Sequence, residues 1–217
     1  MTAQPVARSV SVAPERLAGW LDGFAERHGR PSLELSAGAA VLESPDGARA
    51  RIPLPWGPLE PAADPLPALV DAFRRRRVVG GLIVRRKAHA VGVFDGEELV
   101  AGRRGSHYVQ GRTKAGGWSQ QRYVRRRANQ ADRSFEAAAG DVATILLPEV
   151  GRLEALVAGG DRSAVTAVLA FPGLEQLAEL HARSPLGVLA VPDPNAGVLS
   201  GFGALFRKVR IELNELA

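Results

Sequence analysis

Two side-chain amides, Gln120 and Gln121, follow the run Gly116-Gly117-Trp118-Ser119. An amide side chain donates through its nitrogen, accepts through its oxygen and does not titrate in the working range. It can order a water molecule or steady a polar transition state, but it is no ordinary base at neutral pH. Gly116 and Gly117 admit backbone conformations that other residues avoid. Arg122, Arg125, Arg126 and Arg127 come directly after the amides, and Arg112 and Lys114 stand before them. A Gly-Gly-amide tip on a cationic stem suits insertion into a highly charged RNA site. The plainer alternative is a glycine hinge ahead of a helix with solvent-facing glutamines, because such dipeptides are common in loops.

Other chemistries find little support. Cysteine is absent, which excludes disulfides, zinc-thiolate sites and cysteine nucleophiles. His28, His89, His107 and His181 are scattered without metal-ligand spacing and read as structural or surface residues. Ser106 and His107 are adjacent, which does not generally let side chains face each other, and no third member of a triad is evident. Residues 102–105 do not match a phosphate-binding loop. A metal-dependent nuclease would need clustered carboxylates, and Asp95, Glu97, Glu98 and Asp141 form no obvious set. Trp118 is expected either to stack on a base or to fold back, since an indole at the tip of a polar loop is otherwise exposed.

Charge points the same way as the amides. Between Arg103 and Arg133 eight Arg and one Lys face only Asp132, so this segment carries +8 in a chain of net +5 and leaves −3 for the rest. A second basic group runs from Arg74 to Arg77, with Arg85, Arg86 and Lys87 soon after. Clustered arginine on an otherwise mildly acidic chain indicates a polyanionic partner, nucleic acid first. The apolar runs are far too short to span a bilayer, and the first residues carry no apolar core of signal-peptide length. The expectation is a soluble cytoplasmic protein with no membrane partner.

The elements that must position the amides follow from periodicity. Residues 1–13 read as a loose tail, and 14–217 as one domain. Leu17, Trp20, Leu21 and Phe24 mark a helix opened by Pro14 and closed by Gly29. Strands are expected over 32–36, 39–44 and 48–54, then a loop holding six prolines between Pro53 and Pro67. A helix over 66–77 precedes strands over 78–85 and 88–94, a turn at Asp95-Gly96 and a returning strand over 98–101. A basic, glycine-rich loop occupies about 102–121. A helix beginning at Trp118 or Ser119 runs to Leu147, burying Ala128, Ala131, Phe135, Ala138, Ala139 and Val142. Pro148 kinks or breaks it, and helix continues over 149–157. Strands over 166–171 and 186–191 enclose a helix over 174–182, and 208–213 is either a last strand or helix. This order predicts an α/β fold, a mixed sheet flanked by helices.

Residues 114–127 resemble the loop in the middle domain of eukaryotic and archaeal class I release factors. There a Gly-Gly-Gln tip is followed by Ser and by a helix opening Arg-aromatic-x-Arg-x-Arg. Gly116-Gly117, Ser119 and Arg122-Tyr123-Val124-Arg125-Arg126-Arg127 fall in that register without a gap. Val91 to Gly96 is similar to that domain's strand and turn, and the resemblance extends over about residues 82–191. Trp118 occupies the place of the release-factor glutamine. The related Vms-like release factors of ribosome quality control carry their glutamine further along the loop, and counting from Lys114 it matches Gln120. In its size and its Gly-Gly-x-Ser-Gln-Gln loop, the chain is identified as a member of the actinobacterial branch of that family, peptidyl-tRNA hydrolases.

The resemblance implies a release-factor middle-domain fold, RNase H-like in shape. It also implies hydrolysis of the ester between nascent peptide and tRNA on a stalled or split large ribosomal subunit. Gln120 or Gln121 would face that ester, with Gly116 and Gly117 shaping the tip. Arg112, Lys114, Trp118, Arg122, Arg125, Arg126 and Arg127 would contact ribosomal RNA or tRNA, with no metal and no organic cofactor. Release-factor relatives that lack the glutamine bind stalled ribosomes as adaptors without hydrolysis. Trp118 favours that rival; Gln120 and Gln121 favour the enzyme.

Overall fold

In a computed structural model of the chain, the described residues are 6–36, 38–60, 62–85, 88–106 and 120–217, with 120–132 described by backbone alone. The chain divides into two compact units, Met1–Arg76 with Arg207–Ala217, and Arg77–Phe206. The residues expected as one domain, 14–217, thus run through both units: the chain leaves the first after residue 76 and returns to it at residue 207.

In chain order the first unit contributes β1 (Arg8–Val12), α1 (Leu17–His28), β2 (Ser32–Leu35), β3 (Ala39–Glu43), β4 (Arg49–Pro53) and α2 (Pro65–Arg74). The second contributes β5 (Val78–Arg85), β6 (Ala88–Asp95), β7 (Glu98–Ser106), α3 (Gln120–Leu146), β8 (Ala155–Gly160), α4 (Arg162–Leu169), α5 (Glu175–Arg183), β9 (Val188–Leu189), α6 (Ala196–Ser200) and α7 (Phe202–Phe206). β10 (Val209–Leu213) belongs again to the first unit.

The first unit is an antiparallel sheet in the order β1-β10-β4-β3-β2. Leu17, Leu21 and Phe24 of α1 and Leu69, Val70 and Phe73 of α2 share its core with Leu42, Ala50, Ile52 and Ile211. Part of the expected tail is strand: Val10 pairs with Ile211 and Val12 with Val209. β10, distant in sequence, supplies the hydrogen-bonding edge that makes residues 8–12 extended.

The turn between β3 and β4 carries a measurable charge effect. The Ala48 N–H, and next the His28 ring, hold the exposed Asp46 carboxyl below its ordinary value of 3.8. A carboxyl depressed in the folded chain stabilises fully above the unfolded value and loses that contribution as pH falls through the folded value. An NMR titration of the Asp46 carboxyl is therefore expected to give a midpoint below 3.8. His28→Ala should raise it only part of the way, because the backbone donor at Ala48 remains; a midpoint unchanged from an unstructured peptide would refute the turn geometry.

The second unit is the mixed sheet, in the order β7-β6-β5-β8-β9. β5, β6 and β7 form an antiparallel meander, and β8 and β9 extend it in parallel with β5. A mixed sheet flanked by helices is the expected α/β class. Strand alternation sorts its two faces. Leu82, Val84, Val91, Val93, Leu156 and Ala158 pack with α3, α4 and α5. On the other face Gly81, Gly92 and Gly159 leave room for Phe94, Phe202, Leu99 and Leu199, where a Cβ would crowd them.

Three expectations for this unit are corrected. Residues 149–157 are not a continuing helix: a 3-10 turn over Leu147–Arg152 leads into β8. Residues 155–158 are buried in the middle of the parallel ladder, and a continuous apolar run is what such a strand requires. Residues 166–171 are not a strand: α4 spans Arg162–Leu169 with Ala164, Val165, Val168 and Leu169 buried at helical spacing. Short apolar runs do not by themselves distinguish the two states. The basic loop begins later than residue 102, because Gly102 to Ser106 pair along β6 as part of β7.

Candidate functional site

The segment between the end of β7 at Ser106 and the start of α3 at Gln120 holds the predicted tip. Arg112, Lys114, Gly116, Gly117 and Trp118 lie outside the described residues, as do Arg86, Lys87 and His107. Gln120, Gln121, Arg122, Arg125, Arg126 and Arg127 lie on the helical backbone of α3, within a residue or two of the helix start expected from sequence. The buried face expected further along the helix is present at Ala138, Ala139 and Val142, with Phe135 partly buried; Ala128 and Ala131 fall among the residues described by backbone alone.

A polar network ties α3 to the sheet. His89 sits on β6 facing α3, 1% exposed, and its Nε2–H donates to Asp141 Oδ2 at 2.9 Å. The other carboxylate oxygen of Asp141 pairs with the Arg103 guanidinium on β7 at 3.2 Å. Gly105 lies opposite His89 in the ladder, and a Cβ there would run into the imidazole. The carboxylate satisfies the buried imidazole N–H, which would be costly to leave unpaired, while the Arg103 guanidinium that it also meets is more than half exposed to solvent. The reading of His89 as structural holds, but its partner lies on a different element, and no local spacing announces the pair. The other described histidines are also engaged, His28 with Asp46 and His181 with the Leu156 carbonyl.

Some of the remaining basic residues serve the fold. Arg74 donates to the Glu15 carbonyl, Arg77 pairs with Glu154, and Arg85 donates to the Val191 carbonyl and pairs with Asp193. A cleft of about 1250 Å³ opens beside the ends of β5 and β8, lined among others by Arg85, Phe135, Asp161, Arg162 and Asp193. Asp161 and Asp193 line it beside the two arginines, and Asp193 pairs with Arg85. Among the described residues no three His, Asp or Glu side chains group as a metal site requires. Asp141, one of the acids considered for a nuclease, is committed to His89 and Arg103. No helix among the described residues is long and apolar enough to cross a membrane.

The mixed sheet, the segment joining β7 to α3 and the amides at the start of α3 all fall within residues 77–212, which match the family described as "Actinobacteria/chloroflexi VLRF1 release factor". The chain belongs to this VLRF1 release factor family. The family match opens at Arg77, the first residue of the second unit, and continues through that unit into β10. No curated protein matches the chain. Solved structures similar to the chain include two at low identity. The archaeal translation termination factor aRF1 shares 14% identity over 94% of this chain and 68% of that one, with a TM-score of 0.43. A structure described as "Archaeal protein" shares 15% identity over 92% of this chain and 66% of that one, with a TM-score of 0.38. The assignment to the VLRF1 release factors rests on the family match.

Proposed function

We propose that this VLRF1 release factor is a cytoplasmic peptidyl-tRNA hydrolase acting on stalled or split large ribosomal subunits. The observation that carries the reading is the family match across the whole segment that contains Gly116, Gly117, Gln120 and Gln121. Water attacks the carbonyl carbon of the ester, the bond to the ribose oxygen breaks, and that oxygen leaves with a proton. Gln120 orders the attacking water beside the carbonyl. Backbone N–H groups over 117–119 steady the oxyanion. The ribosome and the tRNA 3′ end supply the remaining positioning, and placement with preorganised dipoles provides several powers of ten in rate without a titrating base. Gln121 is the second candidate amide, and no metal or organic cofactor takes part. Arg122, Arg125, Arg126 and Arg127, with Arg112, Lys114 and Trp118, bind ribosomal RNA or tRNA.

The second reading is a non-catalytic adaptor on the ribosome, favoured by Trp118 standing where class I release factors carry glutamine. The two readings part in a single-turnover assay with isolated large subunits carrying labelled peptidyl-tRNA. The hydrolase frees peptide with the purified chain alone; the adaptor binds and frees none. Binding itself is tested by replacing Arg125, Arg126 and Arg127 together with Glu. The logarithmic salt slope of subunit binding is expected to flatten by roughly one unit for each phosphate that is no longer neutralised. Affinities equal to wild type across the salt series would remove these residues from the interface.

A further inference from the structure

We propose that His89, Asp141 and Arg103 form a positioning clamp for peptide release. The inference rests on the hydrolase reading and adds residues to it that touch neither peptide nor tRNA. β7 and α3 are the two elements whose ends bracket the segment 107–119. Hydrophobic packing holds α3 against β6 through Ala138, Val142 and Leu146, but apolar contacts are not directional and permit small shifts and tilts. The clamp is directional. His89 fixes one oxygen of Asp141 from β6, and Arg103 fixes the other from β7, so one helix residue is tied to both strands. Gly105 keeps the slot open for the imidazole on the same strand that carries Arg103.

The leverage is long. At about 1.5 Å per residue, Gln120 lies about 30 Å along the helix from Asp141, so a tilt of about 3° at the clamp displaces the amide by more than about 1 Å. A displacement of that size at a reacting centre costs on the order of 100-fold in rate. Packing by neighbouring core residues limits the tilt when the clamp is broken. The expected loss is therefore about tenfold to 100-fold, and it falls on the maximal rate, not on binding.

The test uses the full chain and single-turnover release from peptidyl-tRNA on large subunits, with protein concentration varied to separate the maximal rate from half-saturation. His89→Ala and Asp141→Leu should lower the maximal rate about tenfold or more while half-saturation stays within about twofold. Asp141→Asn, which keeps an oxygen to accept from His89, should recover much of the loss. Leu177→Ala in α5 is the stability control: it removes a fully buried core side chain outside the clamp. Below its melting temperature it should release at the wild-type rate even where it lowers Tm as far as the clamp variants do. Should His89→Ala not fold, the two Asp141 variants decide, since that side chain is one-fifth exposed. Clamp variants that release as fast as Leu177→Ala would overturn the clamp and leave the hydrolase reading standing. A wild-type chain that frees no peptide overturns the hydrolase reading, and the clamp's part in release with it.

Discussion

Gln120→Ala is expected to cut peptide release by about two to three powers of ten, the scale on which one transition-state hydrogen-bonding group is lost. The side chain carries no charge, so the electrostatic attraction to ribosomal RNA is unchanged. Position 120 is the first residue of α3, and alanine is the best helix former, so the backbone there loses nothing by the change. Subunit binding should therefore stay near wild type while the rate collapses. Gln121→Ala should cost much less, because the next position on a helix is turned by about 100°. Trp118→Ala is the complementary variant, and weaker binding with an unchanged maximal rate is expected if the indole stacks on RNA. The measurement is single-turnover release at saturating protein. If Gln121→Ala is the inactive variant, the working amide moves by one residue and the chemistry stands. If both alanine variants release peptide like wild type, the amide mechanism fails.

Phe94→Ala carries the largest expected effect on stability. Phe94 is fully buried on β6, on the face opposite α3. Its ring meets Phe206 edge-on at 5.4 Å between centroids and Phe202 at 6.2 Å. It also fills the space left by Gly81 on the neighbouring strand, where a Cβ would lie 2.6 Å from the ring. Removing it opens a cavity between the central strands and α7 and should destabilise the second unit by about 3–5 kcal/mol. Protection of the β5 and β6 amides from hydrogen exchange should fall by the same amount. A loss below about 1 kcal/mol would mean that α7 collapses into the gap and that the aromatic cluster does not hold this face together. The first unit, with its own core, should keep its exchange pattern.

Local patterns made much of this protein legible. The i, i+3, i+4, i+7 apolar spacing of α1, the meander of β5, β6 and β7 with its Asp95-Gly96 turn, and the start of α3 all follow from side-chain periodicity and turn chemistry, which act within a few residues. The Gly116-Gly117 segment and its arginines were likewise legible as residue types in order, and they lie within the residues that the family match covers. Only tertiary structure decided the rest. Ala155 to Ala158 is strand because it pairs in parallel along β5, with β9 joining its far end at Ala158; the same apolar string would serve a buried helix. The 166–169 residues are helix because α4 has a sheet to cover with one face. Arg8 to Val12 is strand because β10, near the other end of the chain, offers it an edge. His89 meets Asp141 because β6 and α3 pack, not because of any spacing between them. Sequence determines which residues prefer a period and which carry charge; partners far along the chain exist only once a core has brought their elements together.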